Sequence, residues 1–249
     1  MLRMADTFIV ENPKTLQEAF ALMSQYGDSA RIVAGGTDIL PNIKHGLHAP
    51  EVLVNLKSVS GLDEISISED SIEIGALVSI QDLADHPKIA TIMPALSKAA
   101  SMVAGPQLRN MGTVGGNVCL DTRCVYINQT HFWREALGFC IKKDGTNCHV
   151  ITSGRKCVAA ASNDTAPVLM TLGAELIIEN AEGRRTCTLD KFYVNDGKKN
   201  NSLAADEVLT KVRIPRPQPN RKMSFQKLRV RGAVDFPMVN MCLVFDIDD

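Results

Sequence analysis

The sequence predicts an α+β fold in two subdomains, and three observations carry that prediction. Apolar residues recur with period two in some stretches and near 3.6 in others, so strands and helices both occur. Residues 65–75 and 175–189 read as hairpins with one buried face. A break in the apolar pattern between Leu56 and Asp63 reads as a linker, dividing the chain into residues 1–57 and residues 58–249. The chain has 249 residues, enough for two such units with a sizeable core.

In chain order, Phe8-Ile9-Val10 is extended and ends at Asn12-Pro13. Thr15 then caps a helix, with Glu18 at capping-box spacing and Leu16, Ala19, Phe20, Leu22 and Met23 on its buried face. That helix stops near Gly27. Residues 30–34 form a strand that runs into Gly35-Gly36-Thr37-Asp38, and no helix of dinucleotide-fold type is expected after it. Residues 52–56 form the next strand. Ser79 caps a helix over 80–86, and residues 92–104 form another. Residues 112–117, Gly-Thr-Val-Gly-Gly-Asn, read as a tight turn. Residues 166–172 are helical, 207–214 form a strand, and 224–229 and 238–247 are the last apolar runs.

Each glycine pair admits two readings. It is a turn, or it is a place where bare backbone N–H groups approach an anion. Two pairs with hydroxyl and amide neighbours favour one shared anionic ligand, and pyrophosphate suits because it accepts hydrogen bonds along its length.

The segment between Cys124 and Cys157 stands apart. Its cysteines, Cys124, Cys140, Cys148 and Cys157, are spaced C-x15-C-x7-C-x8-C. No secretory signal is visible, so a reducing, cytoplasmic setting is expected, where clustered cysteines bind metal more often than they pair. Thiolates suit zinc or iron–sulfur clusters, but the spacing matches neither a zinc knuckle nor a ferredoxin run. Spacing alone leaves both open, together with no metal. Cys119, His131 and His149 are competing ligands. Gly138, Gly145, Gly154, Lys142, Lys143, Arg155 and Lys156 lie between the cysteines and would stabilise a thiolate-bound anion. Trp133 reads as a packing anchor. The net charge of −1 favours neither nucleic acid nor an anionic membrane, and no apolar run approaches a bilayer span.

At these residues the sequence resembles the FAD-binding medium subunits of the xanthine oxidase and carbon monoxide dehydrogenase family of molybdenum hydroxylases. The markers are Ala34-Gly35-Gly36-Thr37-Asp38, Thr113-Val114-Gly115-Gly116-Asn117, Asp164-Thr165-Ala166-Pro167, Glu207-Val208-Leu209 and Phe225-Gln226-Lys227 with Arg229. In that family a handful of residues separates the second glycine turn from the aspartate. Here Asn117 and Asp164 are 47 positions apart, and the excess is the cysteine segment, residues 118–160. Such an insertion resembles the 4-hydroxybenzoyl-CoA reductase branch of the family, whose medium subunit holds a [4Fe–4S] cluster besides FAD.

The resemblance implies roles. Ala34, Gly35, Gly36, Thr37, Asp38, Ile39 and Leu40, with Thr113, Gly115, Gly116 and Asn117, would hold the FAD pyrophosphate. Asp164 would bind the ribityl or ribose part, Leu209 would pack near the isoalloxazine, and Lys227 would lie near the flavin or its phosphates. Cys124, Cys140, Cys148 and Cys157 would ligate the cluster, leaving Cys119 out. The chain would need no general base, because substrate chemistry belongs to a molybdenum-cofactor large subunit. A [2Fe–2S] small subunit, assembly as a dimer of heterotrimers and a ferredoxin-like donor are implied as well. Family members continue into a further C-terminal domain, which is expected to be absent or truncated here.

Overall fold

The computed structural model describes residues 7–247, and the architecture is α+β. The N-terminal unit comprises β1 (Ile9–Glu11), α1 (Leu16–Tyr26), β2 (Ala30–Val33), α2 (Ile39–Lys44) and β3 (Val52–Asn55). Its sheet has the order β1-β3-β2 and is parallel, with Ile9 opposite Val52 and Ile32 opposite Val54. Parallel strands need crossovers, and α1 connects β1 to β2 while α2 connects β2 to its neighbour β3. The α1 face of Ala19, Phe20 and Met23 packs on Val52 and Val54. Thr15 caps it by accepting the Glu18 N–H at 3.2 Å. The returning bond of the capping box does not form on Thr15. The Glu18 carboxylate accepts the Lys14 N–H instead, at 2.7 Å.

The second unit contains β4 (Ile65–Ile67), β5 (Ser71–Gly75), α3 (Ile80–Asp85), α4 (Pro87–Ile92), α5 (Pro94–Ser101), α6 (Pro106–Met111), α7 (Val114–Val118) and α8 (His131–Ala136). It continues with α9 (Ala166–Thr171), β6 (Glu175–Asn180), β7 (Gly183–Thr188), α10 (Leu189–Phe192), β8 (Val208–Pro215), β9 (Arg221–Leu228) and β10 (Val239–Asp246). A five-stranded antiparallel sheet runs β4-β5-β8-β6-β7, and β9 pairs with β10 separately. Alternate residues Ile72, Ile74, Val212, Ile214, Leu176 and Ile178 turn one sheet face inward against Leu96, Ala99 and Leu169 from the helices.

Four details depart from the sequence reading. A short helix, α2, does follow the first glycine pair; Pro41 sits in its first turn, where a missing N–H is tolerated. The expected helix over 92–104 is broken at Met93, because Pro94 begins a new helix. The second glycine motif is a helical turn rather than a tight turn, capped by Thr113, whose Oγ1 accepts the Gly116 N–H at 3.1 Å. The N-terminal core also extends past the expected linker, since Val59, Leu62, Leu77 and Val208 pack into it.

Candidate functional site

The two glycine motifs meet where the units touch. Gly35 lies against α6 so closely that a Cβ there would stand 2.0 Å from the Met111 carbonyl oxygen. Gly115 lies against the end of β5, where a Cβ would stand 2.8 Å from that of Ala76, and its N–H donates to the Ala76 carbonyl at 2.8 Å. These two glycines are therefore required by backbone meeting backbone. Gly36 is different, since its φ of +71° is a left-handed conformation that few side chains adopt. Among the described residues, the N–H groups of Gly35, Gly36 and Thr37 donate to no protein acceptor.

These N–H groups border a cavity of about 400 Å³. Ala34, Gly35, Gly36, Thr37, Asp38 and Ile39 line it from the first unit, and Thr113, Gly115, Gly116, Asn117, Asp164 and Leu209 from the second. Leu40 and Lys227 do not line it; Leu40 packs instead beside Gly36. Leu77, Ile80 and Val208 add an apolar wall. The flanks of the cysteine segment are joined here, because Thr165 Oγ1 donates to Asn117 Oδ1 at 2.6 Å.

Asp164 is buried, and Lys227 is its partner at 2.7 Å. The Lys227 ammonium also donates to the carbonyls of Met102 at 3.0 Å and Asp235 at 2.9 Å, so all three of its donors are used within the protein. It holds Asp164 at the cavity edge rather than pointing into the cavity. Burial raises the Asp164 pKa above its ordinary value, and the Lys227 bond opposes that rise.

Sequence reasoning missed several liners, among them His48, Asp121, Arg123 and Phe236. Arg123 forms an ion pair with Asp38 and lies over the Phe236 ring at 4.8 Å from its centroid. His48 and Phe236 stand in irregular segments with no motif around them, so no sequence signal marked them. Cys119 also lines the cavity, and burial pushes its thiol up to about 12.

The cysteine segment leaves and rejoins the second unit through a neck, where Arg123 and Ala160 exchange backbone hydrogen bonds at 2.8 and 3.0 Å. Its helix α8 places Arg134 in a buried position, where it donates to the His45 carbonyl of the first unit at 2.9 Å. Cys124, Cys140, Cys148 and Cys157 all line one small cavity of about 20 Å³ beyond that neck, with Tyr126, Lys142 and His149. Trp133 is 38% exposed and stacks loosely on Tyr126.

Backbone N–H groups already face two of the sulfurs. Ile151 N–H donates to Cys148 Sγ at 3.4 Å, and this bond, helped by the N–H groups of Val150 and Val158, lowers the Cys148 pKa. Burial raises that of Cys157, against the Ala159 N–H and the Lys142 charge. Among the described residues, no group of three or more His, Cys, Asp or Glu side chains converges to hold a single metal ion. A four-iron cluster seats each thiolate on its own iron, so its sulfurs need not meet at a point. The donor set thus fits such a cluster. The cavity has room for about one water, so seating a cluster would require the thiols to swing outward.

Free backbone amides, an apolar wall and a buried carboxylate between two α+β units define a nucleotide-cofactor-binding protein. The chain belongs to the family described as FAD binding domain in molybdopterin dehydrogenase, whose pattern matches residues 6–217. It is 31% identical over 239 residues to the nicotinate dehydrogenase FAD-subunit of Eubacterium barkeri, covering 95% of this chain and 68% of that protein. It is 31% identical over 251 residues to the aldehyde oxidoreductase FAD-binding subunit PaoB of Escherichia coli, covering 97% of this chain and 78% of the relative. A carbon monoxide dehydrogenase structure from Hydrogenophaga pseudoflava superimposes with a TM-score of 0.79 at 24% identity, over 99% of this chain and 71% of that one. The chain is thus an FAD-binding oxidoreductase subunit of the molybdenum hydroxylase family. No described helix is long and apolar enough to cross a membrane.

Proposed function

We propose that this chain is the FAD- and [4Fe–4S]-carrying electron-transfer subunit of a molybdenum-dependent 4-hydroxybenzoyl-CoA reductase. The observation that carries the reading is the single cavity lined by all four spaced cysteines, set beyond a neck from the flavin cavity. The amides of Gly35, Gly36 and Thr37 receive the FAD pyrophosphate, and Asp164, positioned by Lys227, meets its hydroxyl-bearing chain. Leu209 and Ile80 shape the apolar side of the cavity. When bound, FAD supplies exchange between two-electron and one-electron carriers, and the cluster supplies one-electron transfer. Cys124, Cys140, Cys148 and Cys157 hold the cluster, and the surrounding amides and cations offset its charge.

In this reading substrate binds a molybdenum-cofactor large subunit, a [2Fe–2S] small subunit completes the path, and a ferredoxin-like protein supplies electrons in the cytoplasm. The test is metal, acid-labile sulfide and flavin analysis of the anaerobically purified complex, with EPR of the reduced state. Four irons, four sulfides and one FAD on this chain are expected. Zinc without sulfide would make the segment a structural module.

A second reading is an FAD subunit of a related molybdenum hydroxylase with another aromatic or heterocyclic substrate. It is favoured by the names of the relatives, which include nicotinate and caffeine dehydrogenases. Turnover of nicotinate but not 4-hydroxybenzoyl-CoA by the purified complex would select it.

A further inference from the structure

The flavin cavity and the cysteine cavity share one wall. Asp121 and Arg123 line the first, while Cys124 and Lys142 line the second. Through this wall the Lys142 ammonium donates to Asp121 Oδ1 at 2.7 Å, to the Thr122 carbonyl at 3.2 Å, and to Thr122 Oγ1. Thr122 is itself held, since its hydroxyl donates to the Gly197 carbonyl at 2.6 Å. The Lys142 side chain is 9% exposed and that of Asp121 30%. A lysine so placed has spent its three donors and keeps one orientation.

Structure alone does not require a charge here. Taking an ammonium and a carboxylate out of water is costly, and an apolar pair often packs as stably. The pair does have a direction, with its cation towards the cysteines and its carboxylate towards the flavin cavity. Asp121 lines the flavin cavity and not the cysteine cavity, and Lys142 lines the cysteine cavity and not the flavin cavity.

We propose that Asp121 and Lys142 form a fixed dipole across the shared wall that sets the difference in reduction potential between the cysteine-held cluster and the flavin. The proposal rests on the cluster reading given above. A cation beside the cluster stabilises the negative charge added on reduction, and a carboxylate beside the flavin opposes it there. Partial burial keeps salt from screening either effect. The pair gains and loses no electron or proton. It biases a one-electron exchange in which the electron lost by one group is gained by the other, so that the cluster side is favoured. Lys142 and Asp121 act through the field and contact no reacting atom, which makes them tuning residues rather than catalytic ones.

The experiment is an anaerobic redox titration of the complex carrying the full chain, reading the cluster by EPR and the flavin by absorbance. Wild type, Lys142→Met, Lys142→Arg and Asp121→Asn are compared, after iron, sulfide and FAD have been counted in each. Lys142→Met should keep its iron and lower the cluster midpoint. At the wild-type midpoint its reduced-to-oxidised ratio should fall at least tenfold, about 59 mV for one electron. Lys142→Arg should restore most of the shift. Asp121→Asn should move both midpoints upward, the flavin more than the cluster, whereas Lys142→Met should move the cluster more than the flavin. Unchanged midpoints in both neutral variants overturn the proposal. If Lys142→Met loses iron, Asp121→Asn decides alone, because it keeps the ammonium; unchanged midpoints there also overturn it. A wild-type chain without iron and sulfide would defeat the cluster reading first, and the dipole with it.

Discussion

The flavin cavity and the cysteine cavity stand on opposite sides of residues 121–124, yet they are built by different means. The flavin cavity is walled by backbone. Gly35 and Gly115 let two units close on each other, and the ends of β2, β5 and β8 fix where they meet. The cysteine cavity has one helix, α8, and little other regular structure; side chains and turns hold it. A site made by sheets resists local change because many ladder bonds define it. A site made by turns depends on a few contacts, such as Arg134 on the His45 carbonyl and Gly197 against Cys157. The first suits a large cofactor that must always sit in one place. The second suits a group whose arrival can organise its own loops.

The largest effect should come from breaking the buried pair on the flavin side. Lys227→Met leaves Asp164 buried without its cation, and a loss of about 3–5 kcal/mol is expected. Thermal unfolding should report it, and Asp164→Asn in the same background should recover part of it. If Lys227→Met unfolds like wild type, the flavin cavity is not held as described.

Next comes the contact between the units. Gly35→Ala would place a methyl against the Met111 carbonyl and should cost about 1–3 kcal/mol while releasing flavin. Gly232→Ala is the control, since nothing lies within 4 Å of a Cβ there. Equal flavin retention after desalting in the two variants would show that the units need not meet so closely.

A smaller effect is expected at Glu207, just before the cavity-lining Val208 and Leu209. Its carboxylate takes two hydrogen bonds from Arg185, one at 2.7 Å, and these hold its pKa below the usual value. A depressed folded pKa stabilises above the unfolded value near 4.3 and is lost as pH falls through the folded one. Arg185 is well exposed, so screening limits the pair to about 1 kcal/mol. Glu207→Gln should therefore be less stable than wild type at pH 7, and the gap should close in acid. Denaturant midpoints measured between those conditions would test it.

The smallest effect on the fold should come from the cysteine side. On the proposed cluster reading, Cys140→Ser should remove iron and sulfide while changing the unfolding free energy of the flavin-binding units by less than about 1 kcal/mol. A large loss of flavin in that variant would mean that the two sites are one cooperative structure.

Much of the fold was legible in the sequence. The hairpins at 65–75 and 175–189 have alternating apolar residues on one buried face, and local spacing is enough to mark them. Thr15 and Ser79 mark helix starts, since a cap is a bond between near neighbours, whereas Thr113 caps a helical turn where the sequence suggests only a tight turn. Where proline intervened the reading was too smooth, because Pro94 restarts a helix that apolar periodicity alone would continue. The first glycine motif keeps the free N–H groups that its sequence suggests, whereas in the second the N–H groups of Gly115 and Gly116 are spent on Ala76 and Thr113. The packing reason for Gly35 and Gly115 was not legible. Their neighbours, Met111 and Ala76, lie in other elements, and no local rule connects them.

By itself the sequence determined most of the strands, the first helices, the two glycine motifs and the four cysteines set between Asn117 and Asp164. Each of these depends on residues a few positions apart, or on a resemblance carried by short motifs. Only the tertiary structure decided what faces what. It turned Lys227 onto Asp164 and away from the cavity. It brought His48 and Phe236 to the flavin side from segments with no motif. It also set Lys142 against Asp121, so that a lysine of the cysteine segment touches the wall of the flavin cavity. Such pairings arise because sheets and necks fold distant residues to within a few ångströms, and no spacing along the chain records that distance.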